Sequence, residues 1–312
     1  MGGPAGRPLN DGFALVVGES LVDIVPDAAG DVGEYPGGSP MNTAVGLARL
    51  GRDVRLATWY ARDARGALVD AHLAASGVQV LPGTYGAART PTAKVVFQPD
   101  GSARYVFDIS WHVPEIPAEW RPLVVHAGSI GASRFPGCSE VLDVLRRFHP
   151  VATITYDPNA RPHAIGDADK VRAQMEACAA TSDVVKASTE DLQWLYPDRD
   201  PEASALEWLA GGPSLLVLTA GADGVQAWTK SGLRLRQDPP EVSVSDTVGA
   251  GDSFMAGLIH QLWRAELLGA ENRTKLAAMT LEQLSAALGF ATRTAAITLS
   301  RKGANPPWST EL

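Results

Sequence analysis

The chain has 312 residues, 45% of them hydrophobic and 20% charged, which suits one large α/β domain with or without a small appendage. Its formal net charge is −8 and it has no basic block, which argues against nucleic acid or an anionic membrane as the main partner. The N-terminus lacks an apolar signal core and no apolar run reaches membrane-spanning length, so we expect a cytoplasmic protein.

The first part of the chain alternates between strand-like and helix-like segments. "FALVVG" (13–18) is a short apolar run ending in glycine and predicts a buried strand. "GGSPMNTAVGLARLG" (37–51) has apolar residues at helical spacing and predicts a helix closed by Gly51. "DVRLATWY" (53–60) and "GALVDAHLAASG" (66–77) repeat the strand and the helix.

The region 89–110 breaks this alternation. It contains two segments of alternating polarity around "PDG", which is a hairpin signal. Together with the nearby "DIVP" these segments predict either a small second sheet that acts as a lid or two ordinary edge strands. In either case these segments, about 19–36 and 89–112, belong to a single domain over 1–312, and a lid would be formed by them. Trp111, at the end of this region, is expected to be exposed on the lid or at an interface.

From residue 123 onward the pattern returns to strands alternating with helices, and after 251 the chain is mainly helical to about 300. This alternation predicts a mainly parallel sheet covered by helices on both faces. The segments that carry it are "LVVHAGSI", "CSEVLDVLRRF", "VATITYDPN", "KVRAQMEACAA", "SDVVKAS", "EDLQWLY" and "SLLVLTAG".

The stretch "EVSVSDTVGAGDSFMAGL" (241–258) combines bare backbone with carboxylates at a predicted helix start. Its first part, ending at Asp246, is strand-like. Gly249, Ala250 and Gly251 let backbone amides point inward ahead of the positive end of a helix, which predicts an anion cradle. Asp252 would then accept a substrate proton while the amides hold a phosphate. The alternative is an ordinary helix start capped by aspartate.

The whole chain resembles the PfkB, or ribokinase-like, family of sugar kinases. The resemblance implies a three-layer α/β/α fold with a mainly parallel central sheet and a small β-sheet lid. A Walker-type kinase is disfavoured, because the P-loop pattern is absent from the sequence. Six landmarks carry the resemblance in family order, namely "GGSPMNTAVGLARLG" (37–51), "YDPNAR" (156–161), "VVKASTEDLQWLY" (184–196), "VLTAGADG" (217–224), "DTVGAGDSFMAGL" (246–258) and "SRKGANPP" (300–307).

The resemblance implies a role for each matching residue. Asp252 would be the catalytic base, and the amides of Gly249, Ala250 and Gly251 would form the anion hole. The sugar would lie near Asp23, Gly37, Gly38, Asn42, Arg104, Asn159 and Arg161. Simpler interpretations stay open: Asp23 as a turn acid, Asn42 as a residue bracketing its helix, and Arg161 as a surface arginine.

The nucleotide and ion residues follow in the same way. ATP would lie near Lys186, Ser188, Thr219, Gly221 and Gly224, although the two glycines also suit a tight turn between strands. The family's Asn-x-x-Glu landmark for Mg²⁺ is Ser-Thr-Glu-Asp here, so either Glu190 or Asp191 would organise Mg²⁺ through water, unless both are merely exposed acids at a helix start. Asp246, together with the backbone near Arg301, Gly303 and Asn305, resembles the K⁺ site of some family members. The alternative is that these backbone carbonyls only shape a turn. Cys138 and Cys178 lack a C-x-x-C pattern, so we expect no disulfide framework or zinc site.

The stretch "GESLVDIVP" (18–26) resembles the fructokinase branch, so fructose is the expected substrate. A 2-keto-3-deoxygluconate kinase is disfavoured, because the Tyr and second Arg of its lid pattern are replaced by Phe107 and Ile109. Met41 disfavours ribokinase, and a nucleoside kinase has no residue in its favour. A non-catalytic sugar-binding regulator on the same fold is the alternative of another class. A homodimer formed through the lid is also expected.

Overall fold

The computed structural model of the chain describes residues 12–26, 32–97, 103–239 and 241–312. Its strands in chain order are β1 (Ala14–Val17), β2 (Leu21–Pro26), β3 (Val32–Gly37), β4 (Val54–Ala57), β5 (Gln79–Val80), β6 (Thr92–Phe97), β7 (Ala103–Asp108), β8 (Val124–Gly128), β9 (Thr153–Asp157), β10 (Val184–Ser188), β11 (Leu215–Thr219), β12 (Val225–Thr229) and β13 (Arg234–Gln237). Its α-helices are α1 (Ser39–Arg49), α2 (Ala64–Ala75), α3 (Ser129–Ser133), α4 (Gly137–Phe148), α5 (Pro162–Ile165), α6 (Ala168–Thr181), α7 (Thr189–Leu195), α8 (Pro201–Gly211), α9 (Ala250–Arg264), α10 (Arg273–Ala277) and α11 (Leu281–Leu299).

The large sheet has nine strands in the order β13-β12-β11-β10-β9-β8-β1-β4-β5. Neighbours from β11 to β5 are parallel, and β12 and β13 continue the sheet as antiparallel strands. The strand order reverses between β1 and β8, because β1 leads outward to β4 while β8 leads outward to β9. Open α/β sheets bind ligands at the carboxyl ends of strands beside such a switch point.

Helices cover both faces of this sheet. In β1, Leu15 and Val17 belong to one apolar cluster, while Ala14 and Val16 belong to the other, as the alternation of a strand requires. All four side chains are fully buried, which explains the continuous apolar run of this strand. The first cluster packs against α4, α6 and α8, and the second against α1, α2, α9 and α11.

A second, four-stranded sheet has the order β3-β2-β6-β7. The register sets Asp23 beside Tyr35 on one neighbour and Ala93 on the other, and Ala93 beside Phe107. These four residues therefore share one face of the small sheet. The predicted hairpin is present as the antiparallel pair β6 and β7, and its "PDG" turn lies outside the described residues.

Most predicted elements are confirmed, and two local predictions are wrong. Residues 241–246 do not form a strand; the amides of Ser245 and Asp246 donate instead to the carbonyl of Leu299, at the end of α11. Trp111 is buried rather than exposed, at 4% of its surface. In the part of the chain that the structure describes, no helix combines the length and apolar character needed to cross a membrane.

Candidate active site

The carboxyl ends of β1, β8 and β9 meet the start of α9 around the side chain of Asp252. This carboxylate is buried, with 5% exposure, and accepts three side-chain hydrogen bonds. Ser39 Oγ and Asn159 Nδ2 donate to Oδ1 at 2.6 and 3.2 Å, and Asn42 Nδ2 donates to Oδ2 at 2.8 Å. The three donors come from two different parts of the chain and fix the orientation of one acid.

The backbone before Asp252 takes a turn that requires glycine. Gly249 has a φ of 77° and precedes the first residue of α9. A Cβ atom at this position would also lie 2.6 Å from the Cβ of Ala304. The amides of the first helical turn have no partner within a helix, and they carry the positive end of its dipole. The start of α9 is thus chemically suited to an anion.

A lysine adds a full positive charge beside this turn. A Cβ atom on Gly251 would lie 3.1 Å from Lys186 Nζ, so the ammonium group approaches the bare backbone there. Lys186 also pairs with Asp157, with Nζ 2.9 Å from Oδ2, and both side chains are almost fully buried. The other carboxylate oxygen of Asp157 is buried and has no hydrogen-bond partner among the residues that the structure describes.

Burial and neighbouring charges shift the pKa values of this pair. Burial raises the pKa of Asp157 to about 6, while the ammonium of Lys186 opposes the rise and the carboxylate of Asp191 adds to it. Burial by itself lowers the pKa of Lys186, but Asp157, Asp191 and Asp252 outweigh it and raise this pKa above its usual value. Lys186 therefore stays charged, and a fixed cation lies between three acids and the glycine turn.

Asp191 organises the loop that carries Asn159. Ser188 caps α7 reciprocally with Asp191, whose Oδ2 accepts from the Ser188 amide at 2.8 Å. Its Oδ1 accepts from the amide of Ala160 at 2.6 Å. Both oxygens of Asp191 are thus occupied by backbone amides, and the carboxylate ties the loop after β9 to the loop after β10. Glu190, the other predicted metal-associated acid, is exposed, and its Oε2 accepts from the adjacent Thr189 hydroxyl at 3.2 Å.

The small sheet brings Asp23 toward the same centre. Burial raises the pKa of Asp23 to about 6, and the field of Asp252 adds to this, while the charge of Arg161 opposes it. Asp23 is therefore close enough to Asp252 and to Arg161 for both charges to act on it. A Cβ atom on Gly37 would lie 2.2 Å from Asp23 Oδ2, so glycine leaves the space that this carboxylate occupies. Gly38 has a φ of 115° and packs against the backbone carbonyl of Glu19.

Arg104 is not brought to this centre. Within β7 it lies one position out of phase with Tyr105 and Phe107, and its partner in β6 is Val96. It therefore occupies the face of the small sheet opposite Asp23, and it is exposed. Phe107, by contrast, lies on the same face as Asp23.

Apart from Lys186, which lies at the centre around Asp252, the predicted nucleotide residues lie at or beyond the carboxyl ends of β10 and β11. Thr219 Oγ1 donates to the carbonyl of Ala187 at 3.3 Å. Gly221 has a φ of 52°, and a Cβ atom there would meet nothing within 4 Å, so its backbone borders open space. Gly224 has a φ of 86°, and a Cβ atom there would lie 2.4 Å from the carbonyl of Gln237. Gly224 is therefore explained by packing of the turn between β11 and β12.

Asp246 contacts the segment of the last landmark, residues 300–307. Asp246 Oδ2 accepts from the amide of Gly303 at 2.9 Å, and its Oδ1 accepts from the amide of Val248 at 3.1 Å. This acid joins the glycine turn before α9 to the loop after α11. Among the described residues there is no cluster of three or more His, Cys, Asp or Glu side chains suited to bind a metal. Cys138 and Cys178 are both free and buried.

Sequence reasoning assigned no role to Glu19, Ser39 or Asp157, which the structure places at or beside the centre. Ser39 follows the two glycines of the first landmark and donates to Asp252. Asp157 stands at the end of β9 in "YDPNAR" and pairs with Lys186. Each of these residues lies inside a stretch that the sequence analysis had already identified. The signal that could have found them is their position directly after a strand or after a pair of glycines.

Comparison with known proteins gives consistent matches. Residues 12–311 match the profile of the pfkB family of carbohydrate kinases. A fructokinase from Rhizobium leguminosarum bv. trifolii is 35% identical over 268 residues, which are 81% of this chain and 81% of the relative. The structure of fructokinase with bound ATP from Xylella fastidiosa has a TM-score of 0.81 at 24% identity, covering 94% of this chain and 93% of that one. A double mutant of fructokinase from Vibrio cholerae O395, in its fructose-, ADP- and potassium-bound form, has a TM-score of 0.80 at 24% identity over 96% and 95% of the two chains. These structures confirm the expected fold.

Proposed function

Since this chain belongs to the pfkB family and is a carbohydrate kinase, we propose that it transfers the γ-phosphoryl group of ATP to a hydroxyl of fructose, with Asp252 as the base. The observation that carries this proposal is the carboxylate of Asp252, held by Ser39, Asn42 and Asn159 next to the glycine turn. A carboxylate oriented by three donors and buried beside an anion cradle is suited to accept a proton from a bound alcohol.

In the proposed reaction, the sugar hydroxyl attacks the terminal phosphorus of ATP. The new bond joins the sugar oxygen to phosphorus, the bond to the oxygen of ADP breaks, and the hydroxyl proton passes to Asp252. The amides of Gly249, Ala250 and Gly251 and the ammonium of Lys186 stabilise the charge on the phosphoryl oxygens. Gly221 lets the nucleotide approach the backbone closely, and Ser188 and Thr219 border the same edge.

Three features support a neutral sugar as the acceptor. Asp23 lies at the centre and its carboxyl group pairs well with sugar hydroxyls. The small sheet presents Phe107 rather than a cation on the face it shares with Asp23, and Arg104 lies on the opposite face. The charge of Arg161 acts on Asp23, so this cation already has an acid as its electrostatic partner. The curated relative reported above is itself named a fructokinase.

The donor groups fit a divalent cation that keeps most of its water, as Mg²⁺ does. The buried Oδ1 of Asp157, beside Lys186, has no hydrogen-bond partner within the described part of the chain and can serve as an acceptor. Each oxygen of Asp191 already accepts one backbone amide, and we propose that this acid acts on such an ion through water, which Mg²⁺ readily keeps. Bound Mg²⁺ would neutralise charge on the phosphates of ATP. We assign Glu190 no part in this arrangement.

A monovalent cation near Asp246 fits less directly. Each oxygen of this carboxylate accepts one backbone amide, and we propose that K⁺ is held beside it by the carbonyl groups of the two loops that Asp246 joins. The Vibrio cholerae structure is described as potassium-bound. We therefore propose K⁺ activation through the turn that precedes α9.

We also propose that the small sheet acts as a lid and as a dimer contact. Tyr35 and Tyr105 lie on the face that carries Asp23, and they are 50% and 44% exposed. Large aromatic side chains exposed on one sheet face are typical of contact surfaces. A second copy seated there would cover this face, and sedimentation analysis would detect the dimer.

The test is ADP release from ATP in the presence of Mg²⁺, with fructose, ribose, glucose, 2-keto-3-deoxygluconate and adenosine as separate acceptors. The proposal expects turnover with fructose above all others. Turnover with a different acceptor would keep the kinase assignment and refute the substrate. Binding of a sugar without turnover on any acceptor would support a non-catalytic regulator instead. Addition of K⁺ to the same assay tests the monovalent site.

A further inference from the structure

Glu19 is a buried acid that has no part in the chemistry proposed above. It lies in the connection between β1 and β2, where the chain passes from the large sheet to the small one, and its exposure is 1%. A carboxyl group is costly to bury without partners. Its partners therefore indicate what the group does.

Two of these partners belong to α3, the short helix after β8. The amide of Gly131 donates to Glu19 Oε2 at 2.8 Å, and the hydroxyl of Ser129 is near enough to lower the pKa of the same carboxyl group. A Cβ atom on Gly131 would lie only 3.0 Å from Oε2, so glycine is needed for this approach. The carbonyl of Gly131 accepts from Trp111 Nε1 at 2.9 Å. Gly131 thus joins two of the connections between the large and the small sheet.

Ser129 continues the chain of contacts toward Asp252. Its Oγ donates to the carbonyl of Asn159 at 3.4 Å, and Asn159 Nδ2 donates to Asp252 Oδ1 at 3.2 Å. Both Ser129 and Asn159 have positive φ angles, 54° and 33°, which non-glycine residues rarely adopt. Such conformations persist only where surrounding contacts hold them.

We propose that Glu19 is a positioning residue. In its protonated form it keeps Asn159, through the hydroxyl of Ser129, in the position from which its side-chain amide donates to Asp252. This inference rests on the proposed role of Asp252 as the base.

The proton count explains why the protonated form is required. A serine hydroxyl has one proton to donate. When Ser129 donates to the carbonyl of Asn159, it can only accept from Glu19, and the carboxyl group must then supply the proton. When Glu19 is ionised, Ser129 donates to the carboxylate instead and releases Asn159. Loss of one proton therefore exchanges one hydrogen bond for another and loosens the amide that orients the base.

Both protonation states of Glu19 are accessible near neutral pH. Burial raises the pKa of Glu19 to about 7, hydrogen bonds from Gly131 and Ser129 oppose the rise, and the carboxylate of Asp252 on α9 adds to it. On the other neighbouring elements, α3 carries no ionisable side chain, Asp157 at the end of β9 is paired with Lys186, and Asp23 lies farther along β2. A bound nucleotide would add negative charge and favour the proton further.

Glu19→Gln tests the inference, because glutamine keeps the acceptor for Gly131 and permanently donates to Ser129. We measure kcat and KM of this variant and of the native chain from about pH 6 to about pH 9, at the acceptor the native chain uses. The ratio of kcat, variant to native, should rise at least about threefold across this range, while KM for the sugar changes little. A ratio that stays constant with pH would overturn the inference.

Two further variants separate this outcome from general damage and from failure of the proposed function. Ser129→Ala removes the relay but keeps Glu19, so its kcat should be lowered at about pH 6 and lose the decline toward about pH 9. An unchanged pH profile in Ser129→Ala would also refute the inference. Asp252→Asn reports on the proposed function: if that variant turns over like the native chain, the base assignment fails, whatever Glu19 does. Thermal unfolding confirms that each variant is folded.

Discussion

Replacement of Lys186 by methionine would separate the structural and the chemical roles of the buried pair. Methionine keeps the length and apolar stem of lysine but removes its charge. Asp157 would then be left in the interior with no cation, and its side chain is only 2% exposed. Removal of one partner of a buried ion pair typically destabilises a protein by about 3–5 kcal/mol, because the other charge remains uncompensated.

This change in stability is large enough to measure. Unfolding entropies of about 2 cal/mol/K per residue give roughly 0.65 kcal/mol/K for a chain of 312 residues. A loss of about 4 kcal/mol therefore lowers Tm by about 6 °C. The double variant Lys186→Met with Asp157→Asn has no buried charge at the pair and should recover most of this loss, since apolar or neutral replacements of a buried pair are often nearly neutral.

Activity should behave differently from stability. Lys186 lies beside Gly251, so its loss removes charge stabilisation from the transferred phosphoryl group, and we expect kcat to fall by about 10²-fold or more. The double variant should remain equally slow although its Tm recovers. Lys230→Met, which removes an exposed lysine, is the matched control and should change neither quantity. Recovery of kcat in the double variant would refute a direct role for Lys186.

Three further predictions follow from single contacts. Burial raises the pKa of Glu19 from its ordinary value of 4.5 to about 7 in the folded chain. Its contribution to stability is therefore full below about pH 4.5 and is lost as pH rises through about 7. Between those limits, the free energy of unfolding measured with urea should fall by roughly 3 kcal/mol more in the native chain than in Glu19→Gln. Gly249→Ala should lower Tm more than Gly232→Ala, because both glycines have positive φ but only a Cβ atom at Gly249 would meet other atoms within 4 Å; equal losses would contradict this. Arg104→Ala should leave KM for the sugar unchanged, whereas Arg161→Ala should raise this KM about tenfold. Steady-state kinetics of the two variants measure both values. A larger rise of KM in Arg104→Ala than in Arg161→Ala would show that Arg104 reaches the substrate.

The sequence allowed the large sheet and the order of its helices to be predicted because burial on both faces produces continuous apolar runs. The strand predicted for residues 241–246 was wrong because alternation of valine with serine imitates an edge strand, while the amides there bond to the end of α11. Trp111 was misplaced because its indole N–H finds a partner only in the fold, the carbonyl of Gly131.

The site could be predicted in part. Motifs identify residues that follow a strand or a glycine turn, and Asp252, Asn42 and Asn159 belong to such motifs. They do not give the direction in which a strand residue points, since Arg104 and Phe107 differ only in their phase along β7. Nor do they reveal that Asp191 is occupied by backbone amides, because that contact depends on how two loops meet.

The most direct test of the central claim is Asp252→Asn, measured both for fructose binding by calorimetry and for ADP release. Asparagine preserves the size of the side chain and removes its ability to accept a proton. The account predicts that fructose binding stays within about threefold of the native value while kcat falls by about 10²–10⁴-fold. A variant that binds fructose and retains native turnover would contradict the assignment of Asp252 as the base.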